Sequence, residues 1–411
     1  MDKTILFLSA NDFKEKSIQV IRKTPEAYVK NGWNVDYIVA RDNSESGNYF
    51  YEKEINPNGV NVQRFSMPFV WIKNKVSSQS LKTIISKFIG YVTIFVLAYK
   101  GLKTLRQKDI DVIYGYEMHG VLATNIIRFL TFKRKKIYIH RFMGTWLTQH
   151  HQNKKYLKLL FNLDHIVALR SASDLCIMTD DGTQGDKALK IFNSKSLKNF
   201  IFLSNGVDEQ KLPIDEVSRF KNELDLTDEE VFVSISRLTN WKRVDRSLHI
   251  LSKVKYKNYK YFIVGDGDKR KALENLVKEL GIENRVIFTG AIPNHEVKQY
   301  LNIADYFFSM YDLSNVGNPL LESIRANKII FTLNNGDTAK WIKHKDNGFI
   351  YDINNTLYSN VAYDIDKIIG NIKLKTEILK NIKITEQDML WTWDERMMIE
   401  VKKVEKLVNE N

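Results

Sequence analysis

Two cationic side chains in the stretch "SISRLTNWKR" are suited to binding an anionic ligand. Arg237 directly follows an apolar run that predicts a strand, and Lys242 comes five residues later. An arginine can grip a diphosphate through two parallel hydrogen bonds, and a lysine adds a mobile point charge. A solvated loop would contain the same residue types, so their interpretation depends on what else lies near them.

The stretch "DLSNVGNPLLES" predicts a helix start that could bind phosphate. Asn318 is a suitable N-cap, and Pro319 suits the first helical position because a proline has no N–H to leave unpaired. Free N–H groups around Gly317 and Leu320, together with the positive end of the helix dipole, would attract an anion. An ordinary helix cap would use the same residues.

Glycines and histidines near the ends of predicted strands are further candidates. In "VGDGDKR", Gly265 and Gly267 allow the backbone to approach a ligand closely, although the motif is too short for a dinucleotide fingerprint. His140 ends the predicted strand "KIYIH", and His119 lies in "YGYEMHG" at the end of the preceding strand. A lone histidine at a strand end is more often structural than functional.

Alternating apolar runs and helical patterns predict the elements that would position these residues. Such alternation is typical of α/β proteins, in which crossover helices cover parallel sheets. The strand candidates are "TILFLSA", "NVDYIVA", "DVIYGY", "KIYIH", "DLCIMT" and "NFIFLS", then "VFVSIS", "YKYFIVGDG", "RVIFTG", "ADYFFSM", "KIIFTL" and "GFIYD". We predict two doubly wound, Rossmann-like domains facing across a cleft, with ligands at the carboxyl ends of the strands.

The domain boundary is predicted within "SNGVDEQKLPID", where turn residues and Pro213 interrupt both patterns. This gives an N-terminal domain of residues 1–207 and a C-terminal domain of residues 208–389. A last helix, about residues 390–411, is expected to pack back onto the N-terminal domain.

Composition and cysteine content favour a globular protein in a reducing compartment. The chain is 44% hydrophobic and 12% aromatic, which is enough for full cores. The one cysteine, Cys176, excludes an internal disulfide and a cysteine-based zinc cluster, and the apolar run "LCIM" around it predicts a buried position. The start "MDKTILFLSAND" indicates a first strand and not a signal peptide. We therefore expect a cytoplasmic protein.

The positive charge is concentrated in the first half of the chain. Residues 1–200 contain 31 Lys and Arg against 17 Asp and Glu, whereas the whole chain has 62 against 49. Residues 55–108 carry nine basic residues and no acid, which predicts a surface for phosphate-rich partners. No RNA- or DNA-reading motif accompanies them, so nucleic acid is not expected as a partner.

The same segment contains an apolar stretch, residues 88–99. Because a spanning helix needs about 20 apolar residues, this stretch is expected not to cross a bilayer. A buried helix beside a lysine-rich exposed neighbour would explain it. Alternatively, residues 69–108 contact an anionic membrane surface, with Phe69, Val70, Trp71 and Ile72 as anchors. The protein would then be peripheral on the inner face of the cytoplasmic membrane.

The order of the motifs resembles the pattern of glycosyltransferase family 4, on the two-domain GT-B fold. The matching stretches are "SNGVD", "SRLTNWK", "FIVGDG", "VIFTGAIP", "ADYFFSM…GNPLLES" and "TWDERM", whereas the first 200 residues match only in general. The resemblance implies a retaining hexosyltransferase with a nucleotide-diphosphate sugar as donor, a UDP-sugar being the first candidate. The acceptor would be a hydroxyl of a glycan or lipid-linked molecule in cell-surface polysaccharide or glycolipid assembly, with neither metal nor other cofactor.

The resemblance also implies roles for particular residues. Arg237 and Lys242 would contact the donor diphosphate, and Glu322 would accept hydrogen bonds from the ribose hydroxyls. The backbone around Ile292 would contact the base. His140 would contact the donor near its reacting carbon.

The sequence departs from the family pattern at two places. The family's second glutamate, eight residues before the ribose acid, would fall on Ser314. Either Asp312 replaces it, or Ser314, Asn315 and the backbone up to Asn318 hold the sugar by neutral hydrogen bonds, which leaves the sugar undetermined. The family's glycine pair after the first strand is also missing, since "SANDFKEKSIQV" stands there.

Two other classes of function remain open on the same fold. A sugar-nucleotide epimerase or hydrolase would consume the donor without an acceptor. A non-catalytic donor-binding partner of another transferase would bind the nucleotide without turnover, and the missing glutamate keeps this alternative open.

Overall fold

The computed structural model describes residues 3–14, 19–44, 53–131 and 135–410. The chain forms two compact units. The first consists of Met1–Asp180, Gln184–Ser204 and Trp393–Asn411, and the second of Asp181–Thr183 and Asn205–Thr392. The first unit thus ends a few residues before the predicted limit at residue 207, and a short segment around Gly182 belongs to the second unit.

The strands and helices alternate along most of the chain. The strands are β1 (Thr4–Ser9), β2 (Asn34–Arg41), β3 (Asn61–Ser66), β4 (Val112–Tyr116), β5 (Ile137–Phe142), β6 (Leu175–Thr179), β7 (Phe200–Leu203), β8 (Glu230–Ile235), β9 (Tyr259–Val264), β10 (Val286–Gly290), β11 (Tyr306–Ser309), β12 (Ile329–Leu333) and β13 (Phe349–Tyr351). The helices are α1 (Gln19–Lys30), α2 (Gln79–Gln107), α3 (Glu117–Leu130), α4 (Leu147–Gln152), α5 (Tyr156–Phe161), α6 (Leu163–Arg170), α7 (Gly185–Phe192), α8 (Ile214–Glu223), α9 (Val244–Lys253), α10 (Arg270–Glu279), α11 (Asn294–Ile303), α12 (Asn318–Arg325), α13 (Leu357–Ile369), α14 (Ile372–Met389) and α15 (Trp393–Asn409).

The first unit is built on a seven-stranded parallel sheet in the order β3-β2-β1-β4-β5-β6-β7. The middle strands are apolar on both faces because helices cover both, and Ile5, Leu6, Phe7 and Leu8 of β1 are all fully buried. Cys176 on β6 is buried as predicted.

The second unit is built on a six-stranded parallel sheet in the order β10-β9-β8-β11-β12-β13. The strand order reverses direction between β8 and β11. In open α/β sheets the crevice at such a reversal, beyond the carboxyl ends of the strands, is where ligands bind. The segments that follow β8 and β11 are those that carry the predicted anion-binding residues.

The predicted α/β class with two doubly wound units is confirmed, and all twelve predicted strands are present. The sequence analysis missed β3, whose residues "NVQRFS" show no apolar run. This strand lies at the edge of the first sheet, where half of its backbone partners and most of its burial are missing, so its composition is that of a surface segment.

Helix α15 packs into the first unit through apolar and charged side chains. Trp393, Met397 and Val401 join the core cluster on one face of the first sheet. Glu400 is fully buried and accepts hydrogen bonds from Arg141 of β5 (2.8 Å) and Arg396 (2.6 Å). Breaking a buried charged network of this kind is costly, so it fixes the end of the chain on the first unit.

Helix α2 is much longer than the apolar stretch that predicted it. It runs over 29 residues, and an 18-residue window within Ser80–Gln107 has a mean hydropathy of 1.6, so its length and composition alone would let it cross a membrane. The apolar stretch of residues 88–99, from which we expected no bilayer crossing, therefore underestimates the length of the helix. A third of this apolar window is buried inside the first unit. Helix α2 is therefore packed on the unit along one side and exposed along the rest.

Candidate functional site

The segment after β8 places a lysine ammonium between two aromatic rings. Lys242 Nζ lies 4.0 Å from the ring centroid of Trp241 and 3.6 Å from that of Tyr311. Burial and the nearby charge of Arg237 lower the pKa of Lys242 to about 7. Among the described residues no carboxylate lies within ion-pair distance of Lys242, whereas Arg237 is exposed to solvent beside it. Arg237 and Lys242 therefore form a positively charged pair whose charge no described carboxylate next to Lys242 neutralises.

Two glycines hold this cationic segment against the turn after β9. Gly265 has φ +137°, and a Cβ there would stand 1.9 Å from the carbonyl oxygen of Ser236. A Cβ on Gly267 would stand 2.4 Å from that of Leu238. These positions therefore need glycine, and what they approach is the backbone that flanks Arg237.

The helix start in "GNPLLES" is one residue earlier than predicted. Helix α12 begins at Asn318, and Gly317 is its N-cap, so Asn318 is not the cap and Pro319 is the second helical residue. The side chain of Asn318 accepts a hydrogen bond from Asn205 Nδ2 (2.8 Å). The backbone N–H groups of Asn318 and Leu320 have no acceptor among the described residues, so they remain available to an anion.

Glu322 is a buried carboxylate without a hydrogen-bond partner among the described residues. It is 7% exposed, and burial raises its pKa to about 7. It is the fifth residue of α12 and so lies one turn into the helix. Buried carboxylates are ordinarily paired. An unpaired one on the helix that follows β11, next to the reversal of the strand order, is therefore a candidate binding group.

The residues that could replace the missing glutamate are already engaged. Asp312 pairs with Arg246 (2.7 Å) and Arg243 (3.5 Å). The Ser314 hydroxyl donates to the Asp181 carbonyl oxygen (2.8 Å) and accepts from Val316 N–H (3.1 Å).

The side chain of Asn315 is fully committed to the fold of the loop after β11. Its Oδ1 accepts from Ser309 and from Tyr311 N–H, and its Nδ2 donates to Leu333 O and Asn335 Oδ1. All four bonds that the amide can make are therefore used, so Asn315 shapes the loop and has none left for a ligand. Neutral contacts to a sugar in this loop would have to come from the backbone.

Ile292 lies in the short loop between β10 and α11 and is half-buried against the core of the second unit. The loop is joined to the glycine turn by a bridge in which Gly265 N–H donates to Gly290 O (2.9 Å). Its backbone is thus tied to the same edge of the sheet as Arg237, which is compatible with the predicted contact to a base.

The prediction that His140 ends a strand is wrong. His140 lies inside β5, which continues to Phe142, and it is 1% exposed. Burial lowers its pKa to about 3, and its Nε2 has no hydrogen-bond partner among the described residues. His119 is also largely enclosed, at the start of α3, with a pKa lowered to about 4 by burial. This burial favours structural roles for both imidazoles over contact with a ligand.

Within the described residues, no group of three or more His, Cys, Asp or Glu side chains is arranged to hold a metal ion. The segment 15–18, in the stretch that replaces the family's glycine pair, lies outside the described residues. Next to it, Asp12 is fully buried and bound by Arg41 (3.0 Å), the last residue of β2, and by Arg64 (3.0 Å) within β3. A charged cluster therefore stands at the position where the family has its small glycines.

Two features of the site escaped the sequence analysis. The pairing of Asn205 with Asn318 joins positions that are far apart in sequence, and nothing local signals it. The aromatic enclosure of Lys242 was only half visible, because Trp241 is its neighbour in the chain whereas Tyr311 follows another strand.

Comparison with known proteins shows what the second unit and the fold of the chain are similar to. Residues 216–384 match the family model "Glycosyl transferases group 1". The fold is that of Anabaena HepE, crystallised with UDP and glucose, at a TM-score of 0.71 and 16% identity over the whole of both chains. Residues 216–384 of the second unit are thus similar to the glycosyl transferases group 1 domain. The fold of the chain is the GT-B fold, which agrees with the resemblance stated above.

Sequence relatives agree with this assignment. An uncharacterized glycosyltransferase of Methanocaldococcus jannaschii is 24% identical over 56% of this chain and 60% of its own length. An alpha-monoglucosyldiacylglycerol synthase of Acholeplasma laidlawii is 22% identical over 46% of this chain and 50% of its own length. The chain spans about half the length of the curated relatives it matches.

Proposed function

We propose that the protein transfers a sugar from a nucleotide-diphosphate sugar to a hydroxyl group, with retention at the anomeric carbon. The observation that carries the proposal is the cationic crevice at the strand reversal of the second unit. There the cationic pair Arg237 and Lys242 follows β8, while the N-terminal turn of α12 and the unpaired Glu322 follow β11. Cations and free backbone N–H groups bind a diphosphate, and a carboxylate accepts hydrogen bonds from ribose hydroxyls.

The chemistry that follows is displacement of the diphosphate. The bond between the anomeric carbon and the phosphate oxygen breaks, and the acceptor oxygen bonds to the same face of that carbon. The departing phosphate oxygen takes the acceptor proton. Arg237, Lys242 and the free N–H groups of α12 would stabilise the charge that develops on the leaving diphosphate.

The donor is proposed to be a UDP-sugar and the acceptor a glycan or lipid-linked hydroxyl, in polysaccharide or glycolipid assembly. Two comparisons support this: HepE was crystallised with UDP and glucose, and the relative from Acholeplasma is named for a glycolipid product. Neither metal nor cofactor is assigned a step. Because the loop after β11 offers no free carboxylate, a non-catalytic donor-binding partner is the second candidate.

A thermal-shift screen tests the donor assignment. We expect UDP and UDP-sugars to raise the melting temperature more than ADP or GDP. A ligand at about 100 times its Kd adds about 2.7 kcal/mol of stability, so at equal concentration the nucleotide that binds most tightly gives the largest shift. The stabilisation should persist in EDTA. Absence of a shift with every nucleotide would refute the donor site, whereas a shift without turnover across an acceptor panel would favour the non-catalytic partner.

The pH dependence of kcat/KM for the donor should be bell-shaped with its maximum near pH 7. Lys242 binds diphosphate as the cation, which is lost as pH rises through its pKa of about 7. Glu322 accepts from hydroxyls as the anion, which is lost as pH falls through its pKa of about 7. The profile is measured between about pH 5 and 9, where kcat/KM reports groups of the free enzyme.

Lys242→Arg separates the two limbs of this profile. An arginine keeps its charge throughout the range, so the fall on the alkaline side should disappear while the acid side remains. An alkaline limb that is unchanged in Lys242→Arg would show that another group titrates there.

A further inference from the structure

The exposed face of α2 carries a continuous apolar stripe. Six large side chains at helical spacing point outward from the first unit, although hydrophobic residues of this size are ordinarily buried: Leu81, Ile84, Phe88, Tyr91, Phe95 and Tyr99. Phe95 and Tyr99 are each about two thirds exposed. At 1.5 Å per residue the stripe is about 27 Å long.

Neighbouring elements widen the stripe into one surface. Phe69 lies 6.5 Å from Phe88, ring to ring, and next to it Trp71 is more than half exposed. On the other side Lys87 of α2 pairs with Asp164 (3.2 Å) and lies over the ring of Phe161 (4.2 Å).

Helices α5 and α6 are therefore joined to α2, and they too expose large apolar side chains: Tyr156, Leu157, Leu160, Phe161, Leu163 and Val167. We refer to the stripe, residues Phe69 and Trp71, and these helices as the α2 face. Apolar patches of this extent on a protein surface mark binding sites.

The opposite side of α2 is built to stay on the sheet. Leu97 and Leu105 are buried in the core of the first unit. Gly90 and Gly101 stand three turns apart where α2 meets α3: a Cβ on Gly90 would lie 2.8 Å from His119 Nε2, and one on Gly101 would lie 2.6 Å from Ile127 Cδ1. A helix that crossed a bilayer would abandon this close fit and uncover the sheet.

Unpaired positive charge accompanies the α2 face. Of the nine basic residues in 55–108, four form ion pairs: Arg64, Lys73, Lys87 and Lys108. The others have no ion-pair partner among the described residues, and two of them lie over aromatic rings, Lys75 over Trp71 and Lys100 over Phe65. An apolar strip with aromatic anchors and flanking lysines matches an anionic lipid surface, into which the apolar side chains insert while the lysines meet the headgroups.

We propose that the α2 face docks the protein on an anionic membrane, with α2 lying in the plane of the interface and not crossing the bilayer. This would make the protein peripheral on a membrane surface. The docking itself does not depend on the proposed donor site. The further conclusion, that the acceptor resides in the membrane, rests on the proposed function.

The test is co-sedimentation of the full chain with vesicles of phosphatidylcholine, with or without phosphatidylglycerol. We expect binding to the anionic vesicles at low salt and release at high salt. Phe95→Asp combined with Leu157→Asp should lower the vesicle affinity about tenfold or more. The matched control is Ile214→Asp combined with Ile372→Asp, since these exposed apolar residues lie in the second unit and should bind as the wild type does.

The remaining outcomes each decide the proposal. Equal recovery with neutral and anionic vesicles, or full binding by the Phe95 and Leu157 variant, would overturn it. Retention in the membrane after alkaline carbonate extraction would show that α2 spans the bilayer, which also overturns the flat docking. If light scattering shows a dimer that the same variant dissociates, and no vesicles are bound, the occupant is a second copy of the chain.

Failure here is distinguishable from failure of the proposed function. Nucleotide-dependent thermal shifts are measured without lipid and report the donor crevice alone. A protein that is stabilised by UDP but ignores vesicles keeps its donor site and loses only the docking proposal.

Discussion

Alanine at Arg237 or at Lys242 is expected to lower the turnover number by about 100-fold or more, because each removes a preorganised donor to the departing diphosphate. The two side chains act on one charge, so their effects should not add: the double variant should be only slightly worse than the poorer single one. Steady-state kinetics with the nucleotide sugar identified by thermal shift provide the measurement.

The matched control for these variants is Lys271→Ala, an exposed cation on α10 of the same unit. It removes the same charge from the second unit without touching the segment after β8, and it should retain wild-type turnover. Near-normal turnover in Arg237→Ala or Lys242→Ala would contradict the site assignment. A loss of turnover in Lys271→Ala equal to theirs would point to a general effect of net charge.

The aromatic surroundings of Lys242 allow its role to be distinguished from that of Arg237. The rings of Trp241 and Tyr311 exclude water from the ammonium and, with Arg237 nearby, account for its lowered pKa. Binding of a diphosphate would raise that pKa again. The alkaline limb of kcat should therefore lie at higher pH than that of kcat/KM, since kcat reports the complex.

The sequence was sufficient for the elements whose residues carry a local signal. Central strands such as β1 and β8 are buried on both faces and read as apolar runs, and the turn glycines mark where the backbone must approach closely. Edge strand β3 was missed because it is half-exposed. The full length of α2 was missed because lysines and other polar residues flank its central apolar stretch.

Contacts between distant segments could not be predicted in the same way. That Asp312 is held by Arg246, and Ser314 by the carbonyl of Asp181, depends on which loops meet after folding. His140 shows the converse error. The spacing put it at a strand end, but β5 continues for two more residues, which pair with β4 and β6. The charge of Arg141, which looked like the end of the apolar run, is buried against its counter-ion Glu400 on α15.

Glu322→Gln should weaken nucleotide binding while it stabilises the free protein. The carboxylate is buried without a partner, and its pKa is raised from 4.5 to about 7. At 1.36 kcal/mol per pKa unit, ionising it in the folded state costs about 3 kcal/mol, a penalty absent below pH 4.5 and complete above pH 7. The wild-type free energy of unfolding should thus fall over this range, and that of the glutamine variant should not.

The same carboxylate is proposed to accept from both ribose hydroxyls, and hydrogen bonds to a charged group are each worth about 1.5 to 3 kcal/mol. Wild-type protein should therefore prefer UDP to its 2′,3′-dideoxy analogue by roughly tenfold or more, and Glu322→Gln should lose much of this preference. The control Glu279→Gln, on the exposed side of α10, should keep it. If Glu322→Gln discriminates between the two nucleotides as the wild type does, the ribose is bound elsewhere. If Glu322→Gln gains stability above pH 7 and also loses the preference for UDP, the buried charge of Glu322 accounts for both effects. The free energy that burying this charge costs is recovered only when a ligand supplies the missing hydrogen bonds.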